Sequence, residues 1–297
     1  MSISQEYKDI KNWINFRHAP TIKRFEGYPI PQTFDVFDWV VWIPKDRKAC
    51  RMNGRKPESI LCASNPISID WVLNKSIFDS KPILVVGGTD HRLSEYIDDL
   101  SSNTDRFSAI FFESKDVGSE KIKSISMGFN ASYLQACQEE NILSAIEMSD
   151  NQDKTEMLFC AWGKIWPSLD KNLPDRISAN EFLKDHPKFK RVMVDNKQYW
   201  QVLAKYFFSM CPAGNGVQAP KLAESWMVKT VPVVLKNASF VDLNEYGYPF
   251  ILLDSWDQIN DQAISDWLEY YQTIDWNQVR YQLTNSYLHD FLSSQKI

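Results

Sequence analysis

The stretch Tyr206–Leu235, YFFSMCPAGNGVQAPKLAESWMVKTVPVVL, constrains the chain most. Tyr206–Cys211 is an apolar run of strand length, and Thr230–Leu235 is a β-branched run of the same kind. Between them Gly214, Asn215 and Gly216 form a loop suited to positive φ and to close approach of a ligand to the backbone. Pro220 fits the first turn of a helix, where its missing N–H has no partner anyway, and Lys221–Met227 reads as a short helix. Strand, glycine loop, helix and strand make a βαβ unit. Such a loop directs backbone N–H groups and a positive helix end at one point, which suits a phosphate. Glu224 lies one turn into the helix, where a carboxylate accepts hydrogen bonds from sugar hydroxyls. Glycine loops between strand and helix also occur in α/β domains without ligand there, so the loop alone does not define a function.

The same alternation runs through the chain. Trp39–Pro44, Glu58–Ala63, Pro82–Val86, Phe107–Phe112 and Ile122–Met127 read as strands in the first half, with helices at Gln5–Phe16, Ile69–Asn74, Leu93–Leu100 and Ala131–Met148, the last interrupted near Glu139. In the second half strands are expected at Glu156–Trp162 and Lys190–Val194 and around Phe250. Helices are expected from Pro174 to Leu183, over Asn196–Lys205 and Asp257–Tyr271, and as a single last helix over Asp275–Ser294. This order predicts an α/β fold with parallel sheets. At 297 residues there is room for two domains, and the wholly polar Ser149–Thr155 reads as their linker. The division expected is 1–150, 151–275, and a C-terminal segment 276–297 packing back on the first domain. Lys45–Arg55 is strongly basic and reads as a solvated loop.

Bulk properties narrow the function. Hydrophobic content of 44% and charged content of 24% belong to a globular protein. A formal net charge of −5 argues against a nucleic-acid partner. The five cysteines are scattered, with no C-x-x-C and no histidine pair at ligand spacing, which implies reduced thiols and no structural zinc. No apolar window is long enough to span a bilayer, and MSISQEYKDIKNW is too polar for a signal peptide, so a soluble cytoplasmic protein is expected. The 11 Trp, 12 Tyr and 17 Phe serve core packing first, and the same rings stack on sugars and bases.

Phe208, Pro212, Gly214, Asn215, Gly216, Glu224 and Val231-Pro232-Val233-Val234 together resemble a motif of the exostosin-like glycosyltransferases, as does Pro249–Trp256 downstream. Weaker similarity extends to Leu84–Asp90, Phe111–Ser114 and Ile125–Gly128. The chain departs from the pattern at Ala213 and Lys221, where arginine is common, and lysine lacks arginine's planar fork. The resemblance implies two Rossmann-like domains facing a central cleft, the GT-B type, and an inverting transfer of sugar from a nucleotide donor to a hydroxyl of a glycan acceptor. It implies a UDP-sugar, UDP-xylose among the candidates, and a viral or microbial member without membrane anchor. It also implies that Arg176, Pro212, the Gly214–Gly216 loop and Lys221 hold the donor diphosphate and that Glu224 holds the ribose.

Sugar transfer requires a stabilised leaving group and an activated hydroxyl, both aligned on the anomeric carbon. No D-x-D occurs, so metal-independent turnover without a cofactor is expected, with basic residues in the metal's place. For the base, Asp90 stands first, at the carboxyl end of a predicted strand; His91 and Glu113 follow. Capping of the helix Leu93–Leu100 is the equal alternative for Asp90. Two other functions remain open: a non-catalytic nucleotide- or glycan-binding protein on the same fold, and a nucleotide-cofactor oxidoreductase. The second is disfavoured because G-N-G-V-Q-A-P is not G-x-G-x-x-G.

Overall fold

The computed structural model describes residues 36–43, 49–52, 54–130, 134, 136–163 and 174–295. The expected helix Gln5–Phe16 and positions 45–48 and 53 of the basic segment lie outside them. The chain forms two compact units. One runs to Ala131 and takes back Gly216–Gln218 and the chain from Tyr281; the other holds Ser132–Asn215 and Ala219–Arg280. No helix among the described residues is long and apolar enough to cross a membrane.

The first unit is built on a six-stranded sheet in the order β2-β1-β3-β4-β5-β6. Its strands are β1 (Trp39–Trp42), β2 (Ala49–Met52), β3 (Ser59–Ala63), β4 (Ile83–Gly87), β5 (Ala109–Phe112) and β6 (Ile122–Ser124). Every neighbouring pair is parallel except β1 with β2. A parallel sheet is buried on both faces, which is why β4, and β3 after Ser59, read as unbroken apolar runs and both strands are buried at every position. One face packs on Ile69, Val72 and Leu73, from α1 (Pro66–Asp70) and the π-helical turn after it, and on Leu100 of α2 (Ile97–Ser101). The other face packs on Leu288 and Leu292 of the last helix, Asn285–Ser294.

The second unit carries a four-stranded, all-parallel sheet, β10-β9-β8-β7. In chain order it contains α3 (Glu139–Asn151), β7 (Glu156–Phe159), α4 (Pro174–Lys184), α5 (Tyr199–Leu203), β8 (Tyr206–Met210), α6 (Lys221–Met227) and β9 (Val231–Leu235). These are followed by α7 (Ala238–Glu245), β10 (Ile251–Leu253), α8 (Asp261–Gln272) and most of α9 (Trp276–Tyr281). All seven residues of α6 are buried. A helix this short owes its stability to that burial and not to propensity.

Several expectations fail for local reasons. The basic segment is not all loop, because Ala49–Met52 pairs antiparallel with β1. Strand β6 stops at Ser124, since Gln218 takes the next backbone groups: its Nε2 donates to Ile125 O at 2.8 Å and its Oε1 accepts from Met127 N at 2.9 Å. The expected strand Lys190–Val194 makes one sheet-like bond, Val192 N to Cys160 O at 2.9 Å, and is not a strand. The expected last helix is two, because Thr284 accepts from Tyr287 N at 3.1 Å and caps a new start. Nor is Ser149–Asn151 linker. It is the end of α3, and Asp150 lies in a charge cluster. This helix lies in the second compact unit, which takes up the chain from Ser132.

That cluster secures the second unit from below. Arg280 donates from Nη1 to Asp150 Oδ1 and Oδ2 at 2.8 and 3.1 Å, from Nη2 to Ser149 Oγ at 3.0 Å, and from Nε to Met227 O at 2.9 Å. Lys229 Nζ reaches Asp150 Oδ1 at 2.6 Å. Lys154, half-buried nearby, donates to Ala204 O, Val228 O and Thr230 Oγ1 at 2.9, 3.0 and 3.2 Å. Arg280→Ala removes the acceptor-satisfying fork from a buried setting and is expected to cost about 3 kcal/mol, read as a lower urea midpoint at unchanged m-value.

Candidate functional site

The candidate residues gather at the carboxyl ends of strands, where open α/β sheets bind ligands. In the second unit β8 ends at Met210 and the chain passes through Pro212, which is buried, to Gly214. Neither Gly214 nor Gly216 takes a positive φ; among the described residues the glycines that do are Gly54, Gly88, Gly128 and Gly247. The reason for Gly214 is proximity. A Cβ there would stand 2.7 Å from Nη2 of Arg176 and 3.5 Å from its Cζ. The guanidinium thus stands close against Gly214 with Nη2 foremost, brought there by the first turn of α4. Its Nη1 lies 3.8 Å from where a Cβ on Gly163 would be, so the same group also neighbours the chain after β7. Asn215 is exposed beside it.

Lys221 is used differently from the expectation. Its Nζ donates to Ala161 O at 2.6 Å and Met210 O at 2.7 Å and sits 4.9 Å from the centre of the Phe159 ring. It therefore fastens the first turn of α6 to the strand ends, with one ammonium proton left. Burial pushes its pKa below the ordinary lysine value, and the charge of Arg176 adds to that.

Glu224 is 5% exposed. Its carboxyl meets the hydroxyl of Tyr199, from α5, with Lys221 as the nearby cation. Burial dominates and raises the Glu224 pKa from 4.5 to about 7, against the lowering effect of Tyr199 and Lys221. Burial, reinforced by the Glu224 charge, also pushes Tyr199 well above its usual value and Cys137 up to about 11. Among the described residues Cys62, Cys137, Cys160 and Cys211 are free and buried. Tyr199 is the partner that sequence reasoning missed; an aromatic on a short amphipathic helix carries no mark of what its hydroxyl meets.

In the first unit the turn after β4 is Gly87-Gly88-Thr89-Asp90-His91. Glu113, one residue past β5, is 2% exposed and accepts from Gly88 N through Oε2 at 2.6 Å. Gly88 makes this possible with φ at +77°, and a Cβ on Gly87 would fall 2.1 Å from Glu113 Cδ. The carboxyl of Glu113 therefore holds the turn. Thr89 Oγ1 donates to Ser64 O at 2.6 Å and pins the turn to the end of β3. Asp90, at the tip, is exposed. It is not the cap of the following 3-10 turn, Leu93–Glu95. That turn's amides are taken by Glu95, whose Oε1 accepts from Arg92 N at 2.7 Å, and by Asp116, whose Oδ1 accepts from Ser94 N at 2.9 Å.

Gly216 belongs to this unit. A Cβ there would lie 3.0 Å from Ser114 Oγ and 3.5 Å from Asp90 Oδ1. Two residues on, Gln218 Nε2 donates to Glu113 O at 2.6 Å. Gln218 was passed over in the sequence; its only signal is a long polar side chain between two small apolar residues. The structure thus brings Asp90 to Gly216 and Arg176 to Gly214, and engages Glu113, Lys221 and Glu224 in buried polar contacts.

The shifted Glu224 makes stability depend on pH. The unfolded chain releases this proton near 4.5 and the folded chain holds it to about 7. The contribution is therefore complete below about 4.5 and is lost as pH rises through about 7. Glu224→Gln keeps a hydrogen-bonding group that does not ionise, so its melting temperature should fall less than that of the unchanged protein across this window, as followed by thermal unfolding at several pH values.

No family model matches the chain, and no curated protein matches it. The exostosin-like resemblance therefore rests on the motif residues alone. Among solved structures the chain is similar to one from the crystal structure of the GtfA/B complex, at 10% identity and a TM-score of 0.37. The match covers 86% of this chain and 65% of that one, so this chain spans a little under two thirds of its length. At that overlap, what the site does has to be argued from its own residues.

Proposed function

We propose that the protein is an inverting glycosyltransferase of GT-B type, moving sugar from a nucleotide donor to a hydroxyl of a glycan without a metal. The observation that carries this reading is the Arg176 guanidinium laid against the backbone of Gly214 at the carboxyl end of a parallel strand. A planar fork of donors beside a glycine loop is suited to two phosphate oxygens of a diphosphate leaving group. The missing D-x-D favours this cation in the metal's role. UDP-sugars, UDP-xylose included, are the proposed donors. Pro212, Gly214, Asn215, Gly216 and the spare proton of Lys221 line the donor side, and Glu224 with Tyr199 offers the oxygens that meet the ribose. The first unit supplies the acceptor side, with the base among Asp90, His91 and Glu113.

A second reading is a binding protein without turnover. The burial of Glu224 and the two carbonyls already held by Lys221 favour it, because both groups then serve the fold. The two readings separate on nucleotide release.

Calorimetry with UDP and a panel of nucleotide sugars tests the donor site. Arg176→Ala removes charge-assisted bonds worth about 1.5–3 kcal/mol, so UDP affinity should fall roughly 10- to 100-fold. Gly214→Ala should weaken it in the same direction by displacing the guanidinium. Unchanged UDP affinity in both variants sinks the site. Binding of a donor with no nucleotide released in the presence of glycan acceptors supports the second reading against the first.

A further inference from the structure

Beyond the donor site, the turn after β4 carries a group of side chains whose arrangement bears on the acceptor. His91 Nδ1 lies 2.7 Å from Glu95 Oε2. The other oxygen of Glu95 is occupied by Arg92 N at 2.7 Å, which fixes the carboxylate at the start of the 3-10 turn. The Tyr96 hydroxyl lies 3.1 Å from the same Nδ1, and the two rings meet edge to face with centroids 5.8 Å apart. Tyr96 is in turn stacked on Phe112 of β5, 6.4 Å between centroids. The imidazole is thus oriented from one side by a held carboxylate and a buried phenol, and it remains 40% exposed.

The chemistry of this arrangement is specific. An ionised carboxylate only accepts, so Nδ1 carries the proton and the lone pair is left on Nε2. An exposed side-chain pair four residues apart does little for stability. Its consequence here is the tautomer. We propose that His91 is the base that takes the proton of the acceptor hydroxyl at Nε2, and that Glu95 is its positioning residue. This rests on the glycosyl-transfer reading. In the step, the acceptor oxygen's lone pair forms the new bond to the anomeric carbon as the bond from that carbon to the phosphate oxygen breaks. The electron pair leaves with the nucleoside diphosphate, and the hydroxyl proton passes to Nε2. The resulting imidazolium faces the Glu95 carboxylate, which stabilises it. Asp90, on the same turn, is left to the loop at Gly216, where its Oδ1 and Ser114 Oγ approach the backbone.

Long-range proton–nitrogen NMR of the nitrogen-labelled full chain reads the tautomer directly, with His91→Asn assigning the signal among the four histidines. The expected result is a pyrrole-type Nδ1 and a pyridine-type Nε2 for His91. Glu95→Ala should convert His91 to the opposite tautomer, leaving the other histidine signals in place as evidence of an intact fold. Glu95→Gln should keep the tautomer, since its amide oxygen still accepts. In transfer assays with the donor that releases nucleotide, His91→Asn should lower kcat about 100-fold or more. Glu95→Ala and Glu95→Gln should both lower kcat about 10-fold, as loss of a group that orients and stabilises the base, with donor KM unchanged. A purely structural Glu95 would leave kcat untouched in the Gln variant. A wild-type His91 with its proton on Nε2 overturns the dyad. Full kcat in His91→Asn, or its collapse in Asp90→Asn instead, overturns the base. If no donor turns over, the transferase reading and the base fall together, while the NMR arm still decides the dyad.

Discussion

A parallel sheet has both faces covered, and all of its strands end on the same edge. Apart from β1 with β2, every neighbouring pair in the two sheets is parallel, so side chains within the strands are spent on packing. Only the segments leaving the carboxyl ends are available for chemistry. β4 ends in Gly87 and β8 leads to Gly214; the polar residues clustered after them are placed by this constraint and not by a local preference.

The glycines at those ends show how close packing replaces conformational freedom as the reason for the residue. Gly88 needs its positive φ to aim an N–H at Glu113. Gly87, Gly214 and Gly216 do not take that region. At Gly87 a carboxyl and at Gly214 a guanidinium occupy the space a Cβ would need, and at Gly216 a hydroxyl would stand 3.0 Å from it. The same closeness lets short helices persist. α6 is seven residues long, and Lys221 ties its first turn to two strand-end carbonyls while burial covers the rest.

Buried charge is dealt with by saturation. Lys154 gives its three protons to three oxygens, Arg280 spends its fork on Asp150, Ser149 and Met227, and Lys221 meets two carbonyls and a ring. A cation taken from water is tolerated only when its hydrogen bonds are replaced. Lys221, named as a phosphate ligand from its place in the motif, spends two of its three protons this way, and Glu113, named as a base from its place after a strand, turns one carboxyl oxygen to Gly88 N. Spacing puts a residue at a strand end; it does not say whether the side chain turns outward to a ligand or inward to a neighbour.

What the sequence determined by itself is the alternation of elements. The apolar runs at β3, β4, β5, β8 and β9 and the helix after Pro220 were legible because continuous burial and the first-turn proline leave marks on neighbouring residues. The break before the last helix, the early end of β6 and the helical character of Ser149–Asn151 were not legible. Each is decided by a partner distant in the chain or by a cap within a periodic apolar pattern: Gln218 for β6, Arg280 for Ser149 and Asp150, Thr284 for the final helix. The candidate site divides in the same way. That Asp90, His91 and Gly214 follow strand ends and that Arg176 opens a helix follows from order along the chain. That Arg176 lies on Gly214, that Tyr199 meets Glu224 and that Glu95 Oε2 comes within 2.7 Å of His91 Nδ1 was decided only by the folded structure, because a hydrogen bond depends on distance and direction in space.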